Sequence, residues 1–164
     1  MREHKALYTA FRILSEAAVC ITYGMYVIGT VLSLFFETNG IIWLYEVLHF
    51  TVVPFTSFIV TTVVRKAINA PRPYERGIDP LVPKKTKGLS CPSRHTACVV
   101  AIALAWMVYA PVFGAVMIAI AVCIALSRII AGVHYPLDVA FGAGLSIVIF
   151  VLYDVAFRII LPIA

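Results

Sequence analysis

The chain has 164 residues, 62% of them hydrophobic and only 13% charged, with a mean hydropathy of +0.99. An ordinary soluble domain is about a quarter charged, so this composition excludes a typical soluble protein and points to the membrane. Between Arg65 and Arg94 eight Lys and Arg residues are opposed only by Glu75 and Asp79, a local +6, whereas the rest of the chain carries −1; this excludes a generally basic nucleic-acid binder and predicts one localised anionic ligand.

In chain order, Met1 to Glu16 mixes charges with Leu7, Tyr8, Phe11 and Ile13. It reads as an amphipathic lead into a helix that stays in the mature protein, because no small-residue cleavage site follows. A spanning helix needs ~20 apolar residues. Ala17 to Phe36 carries no charge and gives the first span, and Glu37-Thr38-Asn39-Gly40 is a polar turn. Ile41 to Val64 gives the second, interrupted only by Glu46 and His49. The basic stretch that follows is rich in Pro and Gly and cannot lie in hydrocarbon. Thr96 to Ser127 runs 32 residues without a charge, too long for one span, and Pro111 with Gly114 behind it divides the run. Tyr135 to Leu161 gives the fifth span. Long apolar runs suit helices rather than alternating barrel strands. The expected fold is therefore all-α: one membrane-embedded domain over 1–164, an integral membrane bundle of about five transmembrane helices at 17–36, 41–64, 93–110, 112–131 and 135–161, with a loop at 65–92 on the functional face.

Alternating spans put the N-terminus, the 65–92 loop and the Ile129–Tyr135 connection on one face. The polar residues there form three segments: Arg65, Lys66, Arg72 and Pro73; Cys91-Pro92-Ser93-Arg94-His95-Thr96; and Ser127-Arg128 followed by His134 and Asp138. Arg65, Lys66, Arg72, Arg94 and Arg128 are up to five cations within reach of one point. Such a cluster implies a polyanionic ligand, and the arginine fork favours phosphate. Ser93 is placed as an N-cap, so the first N–H groups of the third span face the same anion. Asp138, four residues after His134, can accept from one ring nitrogen and leave the other free to attack. His95 suits protonation of a departing oxygen. A nucleophile, an orienter, an acid and an anion clamp together suggest phosphoryl transfer with no metal. Cys20, Cys91, Cys98 and Cys123 lack C-x-x-C spacing and read as small hydrophobes, giving no disulfide framework and no zinc site.

These segments resemble the type 2 phosphatidic acid phosphatase family, within the vanadium haloperoxidase-like superfamily, whose motifs are K-x6-R-P, P-S-G-H and S-R-x5-H-x3-D. The third is matched in full by Ser127, Arg128, His134 and Asp138. The second is matched at Pro92, Ser93 and His95, with Arg94 in place of glycine. The first is matched at Arg72 and Pro73, with Arg65 at the lysine position and Lys66 one residue late, so either cation can fill that role. The resemblance implies that His134 becomes phosphohistidine, oriented by Asp138, and that His95 protonates the leaving group. It further implies that Arg65, Arg72, Ser93, Arg128 and the backbone N–H of Arg94 hold the phosphate, with no metal and no cofactor. The Arg94 side chain is an addition to the motif and is expected to reach a second phosphate.

The function expected on this basis is an integral-membrane lipid phosphatase. Its candidate substrates are polyprenyl pyrophosphate, phosphatidylglycerophosphate and phosphatidic acid, and its partners are the membrane lipids, with no nucleic acid. The alternatives are a lipid phosphotransferase on the same site or a non-catalytic lipid-binding or transport protein. Lys84, Lys85 and Lys87 are read as attracting anionic headgroups. Glu46, His49, Asp154 and Arg158 are read as interfacial pairing or contacts of a homo-oligomer, with a water or proton path as the minority reading. A bacterial cell membrane is the expected location. The resemblance favours an extracytoplasmic site, against the Lys/Arg bias, which favours the cytosolic side.

Overall fold

A computed structural model describes residues 2–35, 40–81 and 86–161. All regular structure among them is helical: α1 (Arg2–Phe35), α2 (Gly40–Ile68), a 3-10 turn (Pro73–Arg76), α3 (Arg94–Tyr109), α4 (Pro111–Ile130) and α5 (Pro136–Ile160). Most of the expected turn at Glu37-Thr38-Asn39, and Lys84 and Lys85, lie outside the described residues.

Helices outrun the apolar stretches at two places. α1 starts at Arg2 rather than at 17, and α2 continues to Ile68 rather than stopping at 64. Nothing in either extension breaks a helix, and Arg65 and Lys66 in the last turn of α2 suit the negative end of its dipole. The division of the long apolar run falls at Ala110, whose extended backbone (φ −143°, ψ 86°) ends α3, and Pro111 opens α4 as its first residue. Gly114 lets that hairpin close, because a Cβ there would stand 2.5 Å from the Met107 backbone nitrogen.

Among the described residues four helices are long and apolar enough to cross a membrane. The exception is α3, with 16 residues, and it lies at the centre of the bundle, touching α1, α2, α4 and α5. Its buried Ala97, Ala101, Ala103 and Ala105 keep neighbouring backbones close, the packing mode available where lipid cancels the hydrophobic drive between helices. Large side chains face outward, with Val112, Ile159 and Leu137 at least three-quarters exposed, as a surface solvated by lipid requires. Polar groups are turned inward instead, including His49, Ser57, Thr61 and Ser146.

At the end of the bundle away from the basic loop, α2 and α5 are fastened together. Tyr45 donates its hydroxyl to Asp154 and accepts from Arg158 at 3.0 Å, and Arg158 Nε donates to the other Asp154 oxygen at 3.0 Å. His49 Nε2 stands 3.5 Å from Asp154. The residues expected to pair at that interface therefore pair within the chain, with Tyr45 added and Glu46 outside the cluster.

Candidate active site

The three segments converge on one cavity of about 260 Å³, lined by Arg65, Lys66, Arg72, Arg94, His95, Arg128 and His134, with Thr62, Thr86, Leu89 and Val133 between them. Arg65 comes from the last turn of α2, Arg94 and His95 from the first turn of α3, and Arg128 from the last turn of α4. Arg65, Arg72, Arg128 and His134 are all buried, at 8%, 7%, 9% and 3% exposure. Among the described residues none of these arginines, nor Arg94, makes an ion pair with a carboxylate, and the Nε of Arg128 is buried without a hydrogen-bond partner. Buried cations without a carboxylate partner are costly, so the arrangement suits an anionic ligand.

Local folding of the basic loop fixes Arg72. Glu75 Oε1 accepts from the backbone N–H of Arg72 at 2.9 Å and of Gly88 at 2.7 Å, drawing the two arms of the loop together. Arg72 Nε then donates to the Gly88 carbonyl at 3.0 Å. Gly88 has φ +63°, and a Cβ there would lie 2.4 Å from Asn69 Oδ1, which itself accepts from the Leu89 N–H at 3.2 Å. Only glycine allows that approach without strain. Farther along, the Leu81 N–H donates to the Ala131 carbonyl at 3.1 Å and seats the loop on the α4–α5 connection.

The start of α3 is braced against α5. The Ser93 N–H donates to the Asp138 carbonyl at 2.9 Å, and Gly142 gives the Ser93 carbonyl room, since a Cβ at 142 would stand 2.5 Å from it. Asp138 sits in the first turn of α5, where its Oδ2 accepts from the Tyr135 N–H at 2.9 Å. The same oxygen accepts from Ser90 Oγ at 2.5 Å and lies 3.6 Å from His134 Nδ1. That last separation is longer than a formed hydrogen bond. It leaves Nδ1 turned to the carboxylate without another partner. Nε2 is then the nitrogen available for chemistry.

Burial holds the His134 imidazole below its ordinary pKa, with Asp138 opposing and the Arg72 and Arg65 charges adding to the depression. The shift favours the uncharged ring. The neighbouring Cys91 thiol is pushed up to about 11 by burial and the Asp138 charge, so it stays protonated and offers no rival thiolate.

Every side chain expected at the site except Ser93 and Asp138 lines the cavity. Asp138 stands behind His134. Ser93 is the residue before α3, as expected, but its hydroxyl makes no capping bond and instead accepts from Thr96 Oγ1 at 3.0 Å, fully buried. Of the two cations at the end of α2, Arg65 points into the buried wall while Lys66 lines the cavity from an exposed position. Ser90, Glu75, Thr62 and Thr86 were not legible in the sequence: a serine two residues before a motif and a lone acid in a basic loop carry no spacing that marks them. Among the described residues no three His, Cys, Asp or Glu side chains are grouped to hold a metal.

A family model described as the PAP2 superfamily matches residues 46–159. Two solved structures share the fold. LpxE of Aquifex aeolicus superposes with a TM-score of 0.64 at 24% identity, over 90% of this chain and 83% of that one. The first transmembrane PAP2 type phosphatidylglycerolphosphate phosphatase from Bacillus subtilis superposes with a TM-score of 0.64 at 23% identity, over 94% of this chain and 84% of that one. No curated protein sequence matches.

Proposed function

The chain belongs to the PAP2 superfamily, and from that premise we propose that it is an integral-membrane phosphatase that removes a phosphate from a lipid phosphate monoester or pyrophosphate. The observation that carries this reading is the burial of Arg65, Arg72 and Arg128, none of them ion-paired to a carboxylate among the described residues, around a cavity shared with a buried His134. Polyprenyl pyrophosphate, phosphatidylglycerophosphate and phosphatidic acid are the candidate substrates.

His134 Nε2 attacks phosphorus, and the bond from phosphorus to the leaving oxygen breaks as the new P–N bond forms. His95, in the same cavity, gives the leaving oxygen its proton. The three arginines hold the equatorial oxygens in a site where their charges need no reorganisation during the reaction. Asp138, held by Ser90 and Tyr135, stabilises the ring as positive charge develops on it. Water, activated by His95 as base, then cleaves the phosphohistidine and releases inorganic phosphate. No step requires a metal. The site is read as extracytoplasmic from the family resemblance, against the Lys/Arg count; membrane-impermeant labelling of Lys87→Cys but not Gly40→Cys in intact cells supports this, and the reverse overturns it.

The decisive experiment is phosphate release from a panel of lipid phosphates and pyrophosphates in detergent, with vanadate as inhibitor. His134→Ala is expected to lower the rate at least 10³-fold, the scale seen when a covalent nucleophile is lost. Release that survives this substitution sinks the mechanism.

A further inference from the structure

The cavity has two walls that differ in burial. Arg65, Arg72 and Arg128 form the inner wall beside His134, each less than a tenth exposed. Arg94 is only half-buried and Lys66 is exposed, and both line the same space. A single phosphate does not need both walls. The cavity brings five cationic side chains to one space of about 260 Å³, more positive charge than the roughly −2 of a single phosphate matches.

Arg94 is also held in a distinctive way. Its guanidinium lies 5.4 Å from the centre of the Phe58 ring, a contact that fixes the side chain without neutralising it. Phe58, Thr62 and Lys66 are spaced by four and so share one face of α2, and Thr62 and Lys66 reach the cavity. Below Phe58 on the same side runs an apolar groove of about 180 Å³ between α1, α2 and α3, lined by Tyr23, Tyr26, Phe55, Phe58 and Ile102 among others. Buried Arg65, Arg72, Arg128 and His134 share the cavity with the less buried Arg94 and Lys66, and Phe58, which carries the Arg94 guanidinium, also lines the apolar groove.

We propose that Arg94, seated on Phe58, is a specificity-determining residue that binds the second phosphate of a lipid diphosphate whose hydrocarbon chain leaves along the α1–α2 groove. This rests on the phosphatase reading above and narrows its substrate class. The terminal phosphorus bonds to His134 Nε2 as the bridging P–O bond breaks. The electron pair departs on a lipid monophosphate that Arg94 continues to hold, its oxygen taking a proton from His95. Water then cleaves the P–N bond to give inorganic phosphate and the free imidazole.

The test compares farnesyl diphosphate with farnesyl monophosphate, which share a chain and differ only in the second phosphate. The readout is the ratio of kcat/KM values for the two lipids in detergent. Wild type is expected to favour the diphosphate, Arg94→Gly to cut that ratio at least tenfold, and Phe58→Leu, which leaves every charge in place, to cut it about threefold. A ratio in Arg94→Gly within twofold of wild type overturns the proposal even when hydrolysis remains His134-dependent. Hydrolysis of neither farnesyl lipid by a protein that still releases phosphate from phosphatidic acid or phosphatidylglycerophosphate overturns this inference alone, whereas release from no lipid phosphate, or release that survives His134→Ala, brings down the phosphatase reading and this inference with it.

Discussion

In the proposed mechanism His134 is prepared for attack by its surroundings before any substrate arrives. Its folded pKa lies below the ordinary 6.5, chiefly through burial, against the pull of Asp138 and with the push of Arg72 and Arg65. A proton on the ring blocks attack, so the reactive form persists through pH 6.5 and is lost only below it. The same sign governs stability: the unfolded chain takes up this proton near pH 6.5, so the contribution of the neutral ring is present above that pH and is lost as pH falls further. An NMR titration of the imidazole in detergent, assigned by its disappearance in His134→Ala, checks this; a midpoint above 6.5 contradicts it. At this scale the sequence was most informative where spacing was itself the signal. Ser127, Arg128, His134 and Asp138 stand at the intervals of one family motif, and Arg128 and His134 line one cavity with Asp138 behind the ring. Ser90 bonds Asp138 across 48 positions, a relation that exists only once the loop is folded.

At the scale of elements, the site depends on how closely α3 and α5 approach. Gly142 is where that approach is tightest, with backbone rather than a yielding side chain in the way of a Cβ. Gly142→Ala is expected to cost about 1–3 kcal/mol and to reduce activity, because Ser93 moves and carries the first turn of α3, with Arg94 and His95, along with it. Gly144→Ala, whose Cβ would meet nothing within 4 Å, should match wild type in both respects. Melting temperature and phosphate release, measured together on the two variants, decide the matter; equal effects contradict the packing argument. Hydropathy located every helix, because apolar runs of this length have few other uses. Helices α1 and α2 run on beyond those apolar stretches, since a helix stops where something breaks or caps it and not where the chain turns polar.

Across the whole molecule, the two ends of the bundle have different tasks. One gathers cations that repel one another and are held by the loop clasp around Glu75. The other joins α2 to α5 through Tyr45, His49, Asp154 and Arg158. The alternation of spans predicted that the three motif segments would meet, and they do. The second cluster was visible only as ionisable residues at one level of the membrane, because the sequence does not reveal which helix faces which.

The shortness of α3 has a consequence for the lipid that surrounds the protein. α3 and α4 start back to back at Ala110 and have 16 and 20 residues, rises of ~24 and ~30 Å. The first turn of α3, which brings Arg94 and His95 to the cavity, therefore stops roughly 6 Å short of the level reached by the end of α4, against a hydrocarbon core ~30 Å thick. Bilayer thickness thereby becomes a rate variable. In thin membranes the recess lies flush with the headgroup phosphates, and in thick ones a charged headgroup must be drawn into hydrocarbon to reach it. With mismatch costing fractions of a kcal/mol per Å, turnover in vesicles of monounsaturated phosphatidylcholine is expected to fall about fivefold as the chains lengthen from 14 to 22 carbons. A rate indifferent to chain length contradicts this. The membrane's thickness would then tune the enzyme without any ligand binding to it.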